Sequence, residues 1–256
     1  MALRIPLRAW TVVSALVLAA AWLTLTWGGF VRDLFLPPPD QLWDAFNDLA
    51  TDGYKNRTLW EHLQISLWRI FAGFVTGALA GTFLGLAMGY WRGVAALASP
   101  FVEFLRPLPQ LAYLMLLIIW FGIGETSKII LLFLAALPVS AVAARDGVRN
   151  VPAQRIHAAR TLGATEWQVF RHVVLPSALP EIFTGARIGV GVVYGTLIAA
   201  EIIAGSSGIG WMILDAGRFL RSDYVFVGII LIGLMGVALN GALVALETRL
   251  VHWAGR

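Results

Sequence analysis

A chain of 256 residues with 59% hydrophobic and only 13% charged residues, and a mean hydropathy of +0.77, is too apolar for an ordinary soluble domain. About a quarter of the residues in such a domain are charged. The net charge of +4 would suggest an anionic partner in a soluble protein, but here the basic residues gather at the ends of apolar runs and in one loop, the pattern that sorts membrane loops. There is no cysteine, which excludes disulfides and thiolate metal sites.

At roughly 20 apolar residues per crossing, the length suits five or six spans in one all-α integral membrane domain, residues 1–256. The first apolar stretch, Trp10 to Trp27, follows Arg4 and Arg8 and reads either as a signal peptide or as a retained span. It exceeds an h-region of roughly 7–15 residues and ends in Trp27-Gly28-Gly29, an interfacial anchor more than a cleavage site. It is therefore taken as a first span over residues 10–29, with the N-terminus inside. Residues 37–50 follow, with Pro37-Pro38-Pro39 and Asp40 as N-cap. Leu42, Trp43, Phe46 and Leu49 fall on one face there and Asp44, Asn47 and Asp48 on another, which predicts a short amphipathic helix along the outer membrane surface.

A core region over residues 65–250 begins with a second span from about Ile65 to Tyr90. It carries Gly73, Gly77, Gly81, Gly85 and Gly89 at a strict spacing of four, one smooth stripe against which another helix can pack closely. Further apolar runs cover Leu108 to Gly122, Ile129 to Ala144, Ile188 to Ile203 and Val225 to Leu246, making six spans. Pro107 and Pro109 stand at the entrance to the third, and Pro138 inside the fourth implies a kink. With the N-terminus inside, twelve Lys and Arg fall on the cytoplasmic side and seven on the outer side, namely Arg32, Lys55, Arg57, Arg69, Lys128, Arg218 and Arg221. That bias predicts cytoplasmic termini, Arg4, Arg8 and Arg256 included.

The longest polar cytoplasmic stretch, residues 146–180, has the densest arginines and exceeds what a simple connector needs. It reads as a helix from about Pro152, a break at Gly163, a second helix with Trp167, Phe170 and Val174 on one face, and a stop at Leu175-Pro176. Two short helices at an angle present a compact knob, with apolar anchors and an arginine rim suited to a groove on a soluble partner.

This segment resembles the coupling-loop signature of permeases in ATP-binding-cassette importers: E-A-A, three residues, G, nine residues, I, one residue, L-P. Ala158, Ala159, Gly163, Leu175 and Pro176 match it at the required spacing, while His157 stands where the family usually has Glu and Val173 where it has Ile. The resemblance covers nearly the whole chain and is greatest to the branch that imports taurine, aliphatic sulfonates and nitrate. It rests on Trp120-Phe121-Gly122-Ile123-Gly124-Glu125-Thr126-Ser127-Lys128, on Leu175 to Ile182, and on Ala199-Ala200-Glu201-Ile202-Ile203, which look most like taurine permeases. It implies a type I importer permease fold in the cell inner membrane and a homodimer of this chain. It also implies two cytoplasmic ATPase subunits that bind the ATP and Mg2+, a coupling loop that includes His157, Ala164 and Trp167, and an extracytoplasmic binding protein that delivers the solute.

Glu201, near the outer end of the fifth span, reads either as a gate or pathway residue, with Trp120 and Gly208 as its companions, or as an interfacial ion pair. Arg106 and Arg187 read as side chains reaching the cytoplasmic surface. Glu125 and Lys128 lie three apart in a short outer turn, as a surface pair or as a docking point for the delivering protein. Gly205 to Trp211 leads into Met212 to Leu220, either a short outer gate helix or an ordinary loop. His62, His157, His172 and His252 show no metal-ligand spacing. The two lysines, Lys55 and Lys128, form no G-K-[ST] triplet, so ATP must be bound elsewhere. An ion-coupled secondary transporter would need its own ion site and commonly an inverted repeat, and a membrane enzyme would need convergent intramembrane acids or histidines; the sequence offers neither.

Overall fold

The computed structural model describes residues 7–253, apart from the side chains of residues 7–9, 11, 12 and 15; the expectations for Arg4, Arg8 and Arg256 lie outside the described residues. The described chain is helical: α1 (Leu7–Trp27), α2 (Pro39–Thr51), α3 (Leu59–Tyr90), α4 (Arg92–Leu105), α5 (Gln110–Phe121), α6 (Glu125–Arg149), α7 (Ala153–Thr161), α8 (Glu166–Val169), a π-helical turn (Phe170–Val174), α9 (Leu175–Ala204), α10 (Ile209–Arg218) and α11 (Ser222–Leu250). By length and composition α3, α6, the continuous run Glu166–Ala204 and α11 can each cross a membrane. The bent pair α4 and α5 makes a fifth candidate.

The centre is the pairing of α3 with α6. A Cβ placed on Gly77 would lie 2.5 Å from the Phe133 carbonyl oxygen, and one on Gly89 2.5 Å from the Val148 Cβ. Gly73, Gly81 and Gly85 meet Leu132, Leu137 and Ala141 just as closely. Removing the side chains lets the two backbones touch, and dispersion over that long seam replaces the hydrophobic drive that lipid cannot supply. Each step of four in α3 is answered by a step of about four in α6, so the two helices run parallel. The connection between them must therefore return the chain along their whole length, which is the work of α4 and α5. The third apolar run is thus part of a pair of helices bent by 98°, α5 beginning only at Gln110, because Pro107 and Pro109 withhold two N–H donors at the junction. Helix α9 packs against both from the opposite direction, Gly185 on Ala143 and Gly147 on Ala178. Ile70, Phe74, Leu132, Val193 and Leu197 fill the space among the three.

Local signals set the helix ends. Thr58 and Glu61 form a reciprocal capping box at the start of α3, with the Thr58 N–H donating to Glu61 at 2.7 Å. At α2 the N-cap is Pro38, and the expected cap Asp40 sits in the first turn instead, since Pro39 is preset for that position. Leu42, Ala45 and Leu49 are the buried face of α2, while Trp43 is 65% exposed and stacks on Phe46.

The expected stop at Leu175-Pro176 is absent. Pro176 opens α9, and the chain continues from α8 through the π turn into α9 as one helical run of 39 residues. Pro176 has no N–H to offer the preceding turn, and the Leu175 N–H reaches back to the Phe170 carbonyl, the wider π bond that absorbs the defect. Four residues on, Pro180 cannot donate to the Pro176 carbonyl. The Trp253 indole N–H donates to that carbonyl at 3.3 Å, tying the residues after α11 to the start of α9.

Candidate functional site

At the end of the bundle where α3 and α6 begin, four ionisable side chains meet. Arg69, fully buried, donates from Nη1 to Glu201 Oε1 at 2.6 Å and from Nε and Nη2 to the two oxygens of Glu125, each at 2.6 Å. It also donates to the Ser207 carbonyl at 2.8 Å and the Ser207 hydroxyl at 3.1 Å. Glu201, equally buried, accepts in addition from the Ser66 hydroxyl and the Gly210 N–H, both at 2.8 Å. Each buried charge is thereby matched by an opposite one and by hydrogen bonds, the condition under which such a pair is tolerated away from water.

The same side chains hold the start of α10. The N–H groups of Gly208, Ile209 and Gly210 donate in turn to His62 Nδ1, Ser66 Oγ and Glu201 Oε2, at 3.1, 3.0 and 2.8 Å. Acceptance at Nδ1 leaves the His62 proton on Nε2, which faces the Tyr54 carbonyl at 3.3 Å. Gly208 is required twice over, by its φ of +105° and because a Cβ there would strike the Glu201 carboxylate. The other end of α10 is tied down as well, since Asp215 accepts from the Tyr54 hydroxyl at 2.8 Å and pairs with Lys55 at 2.5 Å. Burial pushes the Asp215 carboxyl up, but the hydrogen bonds from Lys55 and Tyr54 and the Lys55 charge outweigh it and hold the group below its ordinary value. Burial and the adjoining Asp215 both raise the Tyr54 hydroxyl.

Several sequence expectations are revised here. Glu125 and Lys128 do pair, at 3.7 Å in the first turn of α6, but only Glu125 lies at the surface; Lys128 is 2% exposed. Arg69, counted among the outer span-end cations, is the centre of the cluster. Of the expected companions of Glu201, Gly208 touches it, whereas Trp120 stands on the exposed face of α5 at 66% exposure. Ser66, His62 and Ser207 were not anticipated; an arginine within the apolar run starting at Ile65 was the signal available.

At the opposite end, α7, α8 and the π turn form the knob. Thr165 and Gln168 cap α8 reciprocally, and Gly163 makes the break between α7 and α8 at φ +83°. The Tyr90 hydroxyl donates to Glu166 at 2.8 Å and Arg160 pairs with it at 3.0 Å, fixing the knob to the end of α3. His157 and Ala158 are exposed, Ala159 and Ala164 half-buried. Of the three residues expected to share an anchoring face, only Trp167 faces out, at 65% exposure, while Val174 is buried and Phe170 half-buried behind it. Leu162 is the second large apolar side chain that faces out, 88% exposed beside Gly163.

Helices long and apolar enough to cross a membrane, paired at their centre, locked at one end and carrying an exposed two-helix knob at the other, define a polytopic membrane protein. The chain belongs to the family of binding-protein-dependent transport system inner membrane components, whose model matches residues 66–252. Members are permeases of ATP-binding-cassette importers and work with ATPase and substrate-binding partners. The chain is 45% identical to the taurine transport system permease protein TauC of Escherichia coli over 93% of its length and 87% of that protein's. It is 35% identical to the putative aliphatic sulfonates transport permease protein SsuC of Bacillus subtilis, over 93% and 84%. The nitrate import permease protein NrtB of Leptolyngbya laminosa is 29% identical over 94% and 87%. A chain of the inward-facing MetNI methionine ABC transporter shares the fold, with a TM-score of 0.58 at 21% identity over 83% of this chain and 99% of that one. An amino acid ABC transporter crystallised with histidines gives 0.59 at 22% identity, over 75% and 91%.

Proposed function

We propose that this chain is one of two identical permease subunits of an importer for a small sulfonate, taurine first. The observation that carries the substrate class is the 45% identity to a taurine permease along 93% of the chain, with sulfonate and nitrate permeases among the other relatives. Two cytoplasmic ATPase subunits, binding ATP and Mg2+, receive the knob, with Leu162 and Trp167 as anchors and Ala158, Ala159 and Gly163 shaping it. A binding protein delivers solute at the opposite, outer face. The knob end and both termini are cytoplasmic: two of the seven cations first counted outside, Arg69 and Lys128, are buried in the ion cluster, which sharpens the arginine bias toward the knob side. Glu201 and Arg69 act as an outer lock, holding α10 across the start of α3 until the ATPase drives the alternate state.

The test is uptake of labelled taurine, ethanesulfonate and nitrate into proteoliposomes holding the permease and its ATPase, each solute with its binding protein. ATP-dependent taurine uptake that disappears in Gly163→Trp, with membrane insertion intact, is the expected result. Full transport by that variant would remove the knob from the coupling role, and ATP-dependent uptake of nitrate alone would reassign the cargo.

A further inference from the structure

Within the ion cluster, the two carboxylates are held very differently. Glu201 has no exposed surface and accepts three hydrogen bonds from α3 and α10. The Glu125 side chain is 53% exposed and borders an open crevice of about 460 Å3, lined also by Arg57, Glu61, Trp68 and Ser207. Behind Glu125 stand two cations that cannot reach bulk water as they are placed: Arg69 at 0% and Lys128 at 3% side-chain exposure. At 3.7 Å the Lys128 ammonium is held to Glu125 by charge at more than hydrogen-bond distance.

The charges decide what this seat accepts. Arg69, Lys128, Glu201 and Glu125 together sum to zero. If Glu125 turns out into the crevice, where its hydration costs little, two buried cations face one buried carboxylate, and the seat is short of one negative charge. An empty seat of that kind is strongly disfavoured, so departure of Glu125 is coupled to arrival of another monoanion. The Arg69 Nε and Nη2 fork, now bidentate on the Glu125 oxygens, matches any planar or tripodal oxyanion, and the Ser207 hydroxyl lies 3.1 Å from Nη2 as a further donor.

We infer that Glu125 is a displaceable internal stand-in for a small monovalent oxyanion, and that Arg69 and Lys128 form a binding site for the anionic head of the solute at the outer mouth of the permease. Arg57 and Glu61 balance each other in the crevice, so the displaced Glu125 carboxylate adds the net counter-charge for an ammonium two carbons away, which favours an aminosulfonate over a plain sulfonate. This assignment rests on the outer orientation and sulfonate class proposed above, and adds a solute site in the permease itself.

The experiment is thermal melting of the detergent-solubilised permease–ATPase complex without binding protein, titrated with ethanesulfonate, taurine, nitrate and sulfate, for the wild type, Glu125→Gln and Lys128→Met. Monoanions should raise the melting temperature of the wild type. In Glu125→Gln, half-saturation by ethanesulfonate should fall about tenfold or more, because a tethered competitor has been removed. Taurine should lose its advantage over ethanesulfonate in that variant. Lys128→Met should abolish the response, and sulfate, a dianion, should give none. A folded Glu125→Gln that ignores every monoanion overturns the site, as does a response that survives Lys128→Met or is equalled by sulfate. If Glu125→Gln does not assemble, the contrast between wild type and Lys128→Met decides alone. ATP-driven uptake is measured on the same wild-type preparation: uptake without an anion response rejects this site only, whereas failure to import any sulfonate rejects the reading beneath it.

Discussion

Replacing Arg69 with methionine removes five hydrogen bonds at once, three to carboxylate oxygens and two to Ser207. Glu125 is half-exposed and can turn to water, so the loss concentrates at Glu201, which keeps only Ser66 and Gly210 as donors and has no route to solvent. Breaking a buried pair on one side costs about 3–5 kcal/mol. At about 2–4 °C per kcal/mol for a chain of this size, the complex should melt roughly 6–20 °C lower. Adding Glu201→Gln to the same chain removes the stranded charge, so the double variant should regain roughly half of that loss or more. The assay is melting of the purified permease–ATPase complex for wild type, both single variants and the double variant. Losses that simply add in the double variant would refute the claim that the two side chains stabilise each other.

Gly85→Leu places a side chain against the Ala141 backbone and the Ala144 Cβ, while Gly233 has no heavy atom within 4 Å of a new Cβ. The first should lower the melting temperature through overpacking of about 1–3 kcal/mol or more and Gly233→Leu should not, which a paired melting experiment checks. The Asp215 carboxyl, held low when folded, stabilises the chain above the ordinary value of about 3.9 and loses that contribution as pH falls through the folded value. Tyr54, raised when folded, stabilises the chain below about pH 10 and loses its contribution as pH rises beyond. Melting against pH should therefore show a plateau between these limits whose acid edge disappears in Asp215→Asn. Leu162→Asp, at an 88% exposed position, should leave melting of the isolated permease within about 0.5 kcal/mol of wild type while co-purification of the ATPase is lost. Trp253→Phe keeps an aromatic ring but removes the indole N–H that meets the Pro176 carbonyl, so a loss of about 1 kcal/mol is expected, read in the same melts.

What could be read from the sequence was whatever depends on register along one helix. The glycine stripe of α3 is an example, because a spacing of four fixes a face whatever that face meets. The break at Gly163 was legible for a similar reason, a glycine between two short polar-apolar patterns. The readings that failed were those needing a distant partner. Arg69 at the end of an apolar run looks like any interfacial cation until Glu201, 132 residues on, is brought to it. Lys128 looked exposed beside Glu125 because its depth depends on α3, not on its own turn; Glu125 is exposed as it looked. Leu175-Pro176 read as a stop because proline usually ends a helix; here the π turn accommodates it, a solution that depends on the backbone and not on residue type. The fracture of the third apolar run was signalled by Pro107 and Pro109, whereas its 98° bend was not.

The uninterrupted helix from Glu166 to Ala204 has a mechanical meaning. Its 39 residues span about 58 Å at about 1.5 Å per residue, with the knob on one tip and Glu201 almost at the other. A tilt of about 5° about the knob end carries the far tip about 5 Å at that length, well beyond the reach of the Arg69–Glu201 contact. Under the docking proposed above, force applied by the motor needs no relay of side chains across the membrane: grip and latch would be two ends of a single crowbar, and leverage on the one would release the other.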